Sequence, residues 1–350
     1  MTSTQNLSRK PVTIHDVARE AGVAVSTAST ALNGGYGVAP STRETVQRTA
    51  LRLGFQPNPH ARNLIRGRTD MIGLFAIALD LGVVTRKLSL IQELLAEREY
   101  FAPLYALAYN RERIIVDQMA LMKNLLSQRP MAILCNVNDL NKDTLEALEQ
   151  YHRNGGLLVA YDKEVSLDCD SVIFDRQENS YLSAKHLVEL GHQRIGFSDG
   201  GMWPNTDRLR GFRQALREGK VKERKECRYA SAGISEEAGL ALADEFLSHT
   251  DRPTAISISD DGIAAAFVAR LGQRGVRVPH DVSVVGHDDM PVAACSAVPL
   301  TTVSQPVHGI AEAVVSLLMD RLRDGYTGPA RRVTVPGKLV LRGSTAPPHR

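Results

Sequence analysis

The chain has 350 residues, 42 Lys and Arg against 39 Asp and Glu, 43% hydrophobic side chains and 23% charged ones. That length allows two or three domains with sizeable cores, and the balance is that of a folded globular protein, not a disordered tail. Its longest apolar run, Met71 to Leu79, has nine residues, against the roughly 18 that a membrane-crossing helix needs, so no membrane partner is expected.

The first element carries most of the charge imbalance. Residues 1–69 hold nine Lys or Arg and three acids, a net +6, and residues 70–350 a net −3. A basic head on a near-neutral body fits a polyanion-binding module or an incidentally basic terminus. The opening MTSTQNLSRKP is polar and lacks the apolar stretch of a secretion signal. Ile14, Val17, Ala18 and Ala21 then recur at helical spacing behind Thr13, with Asp16 placed for a capping box. Gly22 ends this helix, and Ala21-Gly22-Val23-Ala24 makes a tight turn. A second helix runs from about Val25 to Leu32, with Ala28, Ala31 and Leu32 inward. A third starts at Pro40, a favoured first helical position, and closes at Gly54. Two helices joined by a glycine-containing turn, with a third packed on them, describe a helix-turn-helix. The second helix turns Val25, Ser26, Ser29, Thr30 and Asn33 outward, side chains that are small, polar or able to touch a thymine methyl. Thr13, Thr27 and Asn33 suit phosphate oxygens. A plain three-helix bundle that uses its Ser and Thr as caps has the same periodicity.

After the prolines of Gln56-Pro57-Asn58-Pro59 comes the basic segment HARNLIRGR. It is too short to be a stable helix alone, so its order must come from a partner. From Met71 the pattern alternates. Strand-like runs at 71–79, 103–108, 131–135, 157–161, 171–174, 193–198, 254–258 and 281–286 are interleaved with helix-like runs such as 113–127, 178–190, 207–218, 236–248 and 261–274. This predicts parallel sheets with helices on both faces, and too many strands for one small sheet, hence two α/β lobes. The four cysteines, Cys135, Cys169, Cys227 and Cys295, form no CxxC pair. No disulfide framework, zinc site or other metal or cofactor is expected, and a reducing cytoplasm fits. Gly196-Phe197-Ser198-Asp199-Gly200 matches GxSxG after a strand, the nucleophile-elbow pattern of α/β hydrolases, but Gly200, Gly201 and Pro204 interrupt the helix that must follow the serine. The chain is therefore read as a non-enzyme.

Three stretches, VTIHDVAREAGVAVSTASTALNG, VAPSTRETV and LGFQPNPHARNLIRGRTDMIGL, closely resemble the N-terminal region of the lac-repressor (LacI/GalR) family of bacterial regulators. The likeness is continuous over some 60 residues without a gap. It implies an α/β protein: an all-α helix-turn-helix head and a hinge helix, followed by a two-lobed core of the periplasmic-binding-protein type (type I) with parallel sheets. Carried over position by position, Val25, Ser26 and Thr30 fall where the family reads bases in the major groove. Thr13, Thr27, Ser29, Asn33 and Thr42 fall at phosphate-contacting positions. Asn58 begins the hinge, Ala61 and Leu64 face the minor groove, and Leu64 would be the wedge between the central base pairs. Ala24 and Ala39 stand where the family commonly has a Ser cap, and Thr30 where several members carry a longer reader such as Arg or His.

More loosely, DSVIFDRQENSYLSAKHLVELGHQRIGF, RLRGF, VPHDVSVVGHDD, PLTTVSQP and LVLRGSTAP resemble the family's effector domain. The implied layout is a head at 1–56, a hinge at 57–69 and an effector-binding and dimerisation domain at 70–350. Its N-lobe spans about 70–174 plus 304–334, and its C-lobe about 175–303 plus 335–345. By these anchors Asn136, Asp162, Arg208, Asp260, Asp288 and Gln305 sit at strand ends facing the inter-lobe cleft. Their chemistry suits a polyol: carboxylates accept from sugar hydroxyls, and Arg can donate two hydrogen bonds. Trp203, the only tryptophan, either stacks on a sugar face or plugs a lobe. The resemblance implies a cytoplasmic homodimeric repressor that binds double-stranded operator DNA under control of a small carbohydrate effector. The competing reading is a sugar-binding transport or sensing protein with no DNA role.

Overall fold

The computed structural model describes residues 12–32, 35–55, 69–77, 82–107, 117–138, 140–199, 206–229 and 235–349. The chain divides into two compact units, Met1–Thr69 and Asp70–Arg350.

In the first unit, α1 (Ile14–Glu20) starts on the expected capping box. The Thr13 backbone N–H donates to Asp16 Oδ2 at 3.0 Å, and the Asp16 N–H to Thr13 Oγ1 at 3.4 Å. Gly22, at φ 67°, makes the turn into α2 (Val25–Leu32), a left-handed conformation that costs glycine little. Helix α3 (Pro40–Leu53) begins with proline and ends at Gly54, also left-handed. Val17, Ala18, Ala28, Ala31, Val46 and Ala50 form the core, with Leu32, Leu53 and Phe55 packed around it. The small side chains let the three helices approach closely.

The second unit contains two six-stranded sheets. The first sheet comprises β1 (Ile72–Ile77), β2 (Leu104–Leu107), β3 (Ala132–Asn136), β4 (Leu157–Asp162), β5 (Asp170–Phe174) and β11 (Arg332–Val335), in the order β11-β5-β4-β3-β1-β2, all parallel. The second comprises β6 (Ile195–Ser198), β7 (Arg228–Tyr229), β8 (Ala255–Ile258), β9 (Ser283–Asp288), β10 (Thr301–Ser304) and β12 (Lys338–Val340), in the order β12-β10-β9-β8-β6-β7. Only the β10–β12 pair is antiparallel. The two orders correspond strand for strand, so β4 and β9 hold the same place in their sheets.

Helices cover both faces of each sheet, which is why β1, β3 and β4 read as continuous apolar runs. On the first sheet, α4 (Gly82–Ala96) and α12 (Val307–Leu322) pack Leu88, Ile91, Ile310 and Val314 against one face. Helices α5 (Gln118–Ser127) and α6 (Lys142–Arg153) bring Met122, Leu125 and Leu148 to the other. The second sheet is flanked by α7 (Arg176–Glu189) with α8 (Thr206–Glu218), and by α9 (Glu236–Ser248) with α10 (Asp261–Gln273). A short helix, α11 (Pro291–Cys295), follows β9. Gly211 of the RLRGF segment lies where a Cβ would strike the Gln177 carbonyl, so glycine permits the close α7–α8 contact. The chain passes between the sheets after β5, after β10 and after β11.

The strand-like runs correspond to β1–β6, β8 and β9, with ends shifted by a residue or two. Strand β3 extends to Asn136 and β9 to Asp288. Helix α5 begins after Asp117, whose carboxylate accepts the Ala120 N–H and caps it. The remaining strands β7, β10, β11 and β12 are two to four residues long and carry no apolar run that stands out.

Candidate functional site

Two surfaces bear the residues singled out above. In the head, Val25 is 36% exposed, Ser26 is exposed, and Thr27, Ser29 and Thr30 are half-buried on α2. Thr30 Oγ1 donates back to the Ser26 carbonyl at 2.9 Å. Its hydroxyl proton is therefore used within the helix, and the hydroxyl oxygen keeps acceptor capacity. Thr13 is exposed, but its hydroxyl donates to Asp16 Oδ2 at 2.7 Å. A phosphate contact from Thr13 thus competes with the cap. Thr42 is half-buried near the start of α3.

Head charge is organised more than the count alone implies. Asp16 pairs with Arg19, Glu44 with Arg48 and Glu20 with Arg52. Arg43 donates to the Ala31 carbonyl at 2.9 Å and the Gly35 carbonyl at 2.6 Å. It ties α3 to the end of α2, where a cation complements the carbonyl-rich terminus. Asn33, Asn58, Ala61 and Leu64 lie outside the described residues.

In the second unit the strand ends form a buried polar cleft. Asp162 ends β4 and Asp288 ends β9, both with left-handed backbone, at φ 84° and 95°. Such conformations are sparsely populated outside glycine and gather at functional positions. Asp162 is 1% exposed. Its carboxylate meets the Lys87 ammonium of α4 through both oxygens. Oδ2 also accepts from Asn136 Nδ2 at 2.8 Å and Asn138 Nδ2 at 3.2 Å. Lys87 Nζ donates further to Gln305 Oε1 at 2.7 Å, and Gln305 Nε2 donates to Asp288 Oδ1 at 3.1 Å. An unbroken chain, Asp162–Lys87–Gln305–Asp288, thereby joins the equivalent strand ends of the two sheets. Burial pulls the Lys87 pKa below its ordinary value, and the adjacent Asp162 opposes that pull. Arg176, at the start of α7, donates to the Asp162 carbonyl at 2.8 Å and to Asn138 Oδ1 at 3.3 Å.

The β8–β9 side holds a cluster of carboxyls. Asp260 caps α10, with Oδ1 accepting the Gly262 and Ile263 N–H groups at 2.7 and 3.0 Å. Burial, then the nearby Asp288, raises its pKa to about 6 against the opposing pull of those N–H groups and Arg208. Asp261 is fully buried. It accepts from Thr302 Oγ1 at 2.7 Å and from the Met290 N–H at 2.8 Å. Burial raises its pKa to about 8, with Asp288 and Asp260 adding to the rise and the Thr302 bond opposing it. Burial also raises Asp288, against Arg208 and Lys87. Arg208, in the first turn of α8, is 8% exposed. Its interaction with Asp288 and Asp260 offsets part of its own desolvation. Beside it the His287 pKa falls to about 3, from burial first and the Arg208 charge second.

Asn136, Asp162, Asp260, Asp288 and Gln305 are thus gathered at or just after strand ends, Arg208 joins them from the first turn of α8 and not from a strand end, and Trp203 lies outside the described residues. Sequence reasoning missed Lys87, Asn138, Arg176 and Asp261. Only Asp261, adjacent to a named aspartate, carried a local signal. A separate groove of about 590 Å³, lined by Lys163, Asp175, Arg176, Arg210 and Arg332 among others, shares only Arg176 with the cleft. Ser198 is fully buried, and among the described residues its Oγ has no hydrogen-bond partner.

A helix-turn-helix unit followed in the same chain by two parallel lobes around a buried polar cleft defines a ligand-responsive DNA-binding regulator. Residues 13–58 match the family described as "Bacterial regulatory proteins, lacI family", and residues 184–345 match the periplasmic binding protein-like domain. The HTH-type transcriptional repressor PurR of Photobacterium profundum is 29% identical over 335 residues, covering 95% of this chain and 98% of the relative. The PurR of Escherichia coli O1:K1 / APEC is 28% identical over 336 residues, covering 95% and 97%. Among solved structures, the lac repressor dimer bound to operator and the anti-inducer ONPF superposes with TM-score 0.83 at 27% identity, covering 96% of this chain and all of that one. A CelR–cellobiose complex superposes with TM-score 0.67 at 26% identity, covering 95% and 99%. The chain belongs to the LacI/GalR family of bacterial transcriptional regulators.

Proposed function

We propose that this protein is an operator-binding transcriptional repressor of the cytoplasm, without enzymatic activity, whose DNA affinity is set by a small polyhydroxylated effector in the cleft. In this reading Val25, Ser26 and Thr30 meet base edges, and Thr13, Thr27, Ser29, Asn33 and Thr42 meet phosphates. Asn58 opens a hinge in which Ala61 and Leu64 enter the minor groove. The division follows 1–56, 57–69 and 70–350, with lobes at 70–174 plus 304–334 and 175–303 plus 335–345. One recognition helix reads a half-site, so a homodimer faces a pseudo-palindromic operator, in keeping with the operator-bound lac repressor dimer. In the cleft, Asp260 and Asp288 accept from hydroxyls, Arg208 donates, and Asn136, Asp162, Gln305 and Trp203 complete the contact surface.

The observation that carries this reading is the meeting of Asp162 and Asp288, both at left-handed strand ends, through Lys87 and Gln305 in one buried cleft. Such a site changes when the lobes move, so a ligand that prefers one lobe arrangement shifts DNA affinity. Family-scale couplings of about 1–3 kcal/mol correspond to roughly 5–150-fold. The test is operator binding with and without effector, by the full chain and by a chain lacking residues 1–69. Loss of DNA binding with ligand binding kept supports the proposal. A full chain that binds ligand but no DNA sequence specifically would instead be a transport or sensing protein.

A further inference from the structure

We infer that Lys87 makes the cleft selective for an effector with an anionic group, a polyol bearing a carboxylate or a phosphate whose anionic oxygen meets the Lys87 ammonium. The inference rests on the cleft being the effector site.

Donor and acceptor counting carries it. A carboxylate has about four lone-pair positions. At Asp162, Oδ2 accepts from Lys87, Asn136 and Asn138, and Oδ1 accepts from Lys87. Oδ2 is therefore fully engaged, and Oδ1 is held by the Lys87 ammonium. An ammonium has three donors, and those of Lys87 go to the two Asp162 oxygens and to Gln305 Oε1. Gln305 is the exchangeable partner. It is neutral, and it arrives from the end of β10 in the opposite sheet, bonded to Asp288.

Charge points the same way. On the β3–β4 wall Lys87 and Arg176 stand against one carboxylate, and the Arg176 bonds named above run to neutral oxygens, the Asp162 carbonyl and the Asn138 amide. On the β8–β9 wall Asp288 and Asp260 face Arg208. An effector oriented across the cleft thus meets surplus positive charge at one end and carboxylate acceptors at the other. A carboxylate or phosphate oxygen replacing Gln305 on Lys87 keeps a charge-assisted hydrogen bond and adds the attraction between opposite charges in a buried setting. A neutral sugar gains no such bond. A buried ion pair is by itself a poor device for stability, so a structural role alone does not account for this lysine at the centre of the cleft.

The test uses the full-length protein and matched compounds: D-glucose, D-galactose and D-ribose, each beside its aldonate, its uronate where one exists, and its terminal phosphate. Binding is followed by calorimetry and thermal shift. We expect an acid to bind at least about tenfold more tightly than its neutral parent, with the carboxylate and phosphate arms telling which anion is used. Lys87→Met should remove that ratio. Because it leaves Asp162 without its cation, Lys87→Met/Asp162→Asn, which removes both charges, must remove it as well. Gln305→Ala, which clears the competing acceptor, should raise the ratio, an outcome that a merely structural Lys87 does not give. A neutral parent that binds as tightly as its acids, or an acid preference unchanged in the double variant, overturns the inference and leaves the cleft reading standing. No binding by any compound, neutral or acid, counts against the cleft reading and takes the inference with it.

Discussion

The two lobes repeat one plan and then use it differently. Asp162 and Asp288 occupy the same place in equivalent strands, with the same left-handed backbone. Asp162 is surrounded by donors and an ammonium. Asp288 sits among other carboxyls, with Arg208 and a glutamine for relief, and burial raises its pKa. The difference shows that strand topology sets where a polar group emerges, while the side chains of neighbouring helices decide its charge state and its freedom to meet a ligand.

Removing each aspartate tests that contrast most strongly. Asp162→Ala leaves a fully buried ammonium without its counter-ion and should cost about 3–5 kcal/mol of stability. Asp288→Ala removes a carboxylate from a crowded acidic cluster and should cost less than about 2 kcal/mol, the range for one lost buried hydrogen bond. Urea unfolding of the two variants side by side measures this, and equal losses would erase the distinction.

A smaller effect distinguishes the acidic wall by pH. Asp261 keeps its proton in the folded state up to about pH 8, whereas an ordinary aspartate in the unfolded chain releases it near 3.8. The folded state binds more protons across that window, so this group lowers stability as pH rises from about 3.8 to about 8. Asp261→Asn should flatten that part of the profile. Unfolding free energies measured across the window check it, and an unchanged slope in the variant would contradict the assignment.

The smallest effect belongs to Asp260. As the N-cap of α10 it needs only an acceptor oxygen, so Asp260→Asn should change stability by less than about 0.5 kcal/mol, and Asp260→Ala by about 1 kcal/mol. Thermal unfolding separates these two outcomes.

The head was the most legible part of the chain, because its signals are local: a capping box at Thr13 and Asp16, glycines at two turns, a proline at a helix start, and small residues at helical spacing. The central strands were legible because burial on both faces makes them apolar throughout. The edge strands were not, since β7 and β12 have two and three residues. In the cleft, Asp162 and Asp288 could be placed because the segments around them carry the family resemblance, and each lies at or just beyond a strand-like run. Lys87 could not. It lies in an amphipathic helix, where a lysine ordinarily faces water, and only the packing of α4 with α12 on the first sheet turns it inward. Arg43 shows the limit of a charge count in the same way. It adds to the net charge of the head and is found binding the Ala31 and Gly35 carbonyls.

The ion pairs within the head have a consequence for how DNA affinity responds to salt. Each of its three acids is matched by an arginine on the same three helices, which leaves Arg43 as their only surplus cation, and it is engaged internally. The remaining surplus, Arg9, Lys10, Arg62, Arg66 and Arg68, lies in the stretches on either side. Counterions released on binding, about 0.9 for each neutralised phosphate, would then come mainly from those flanks. The three helices would discriminate sequences at nearly constant ionic cost, and replacing the five flanking cations with glutamine would flatten the plot of log K against log salt while leaving the ranking of operators unchanged.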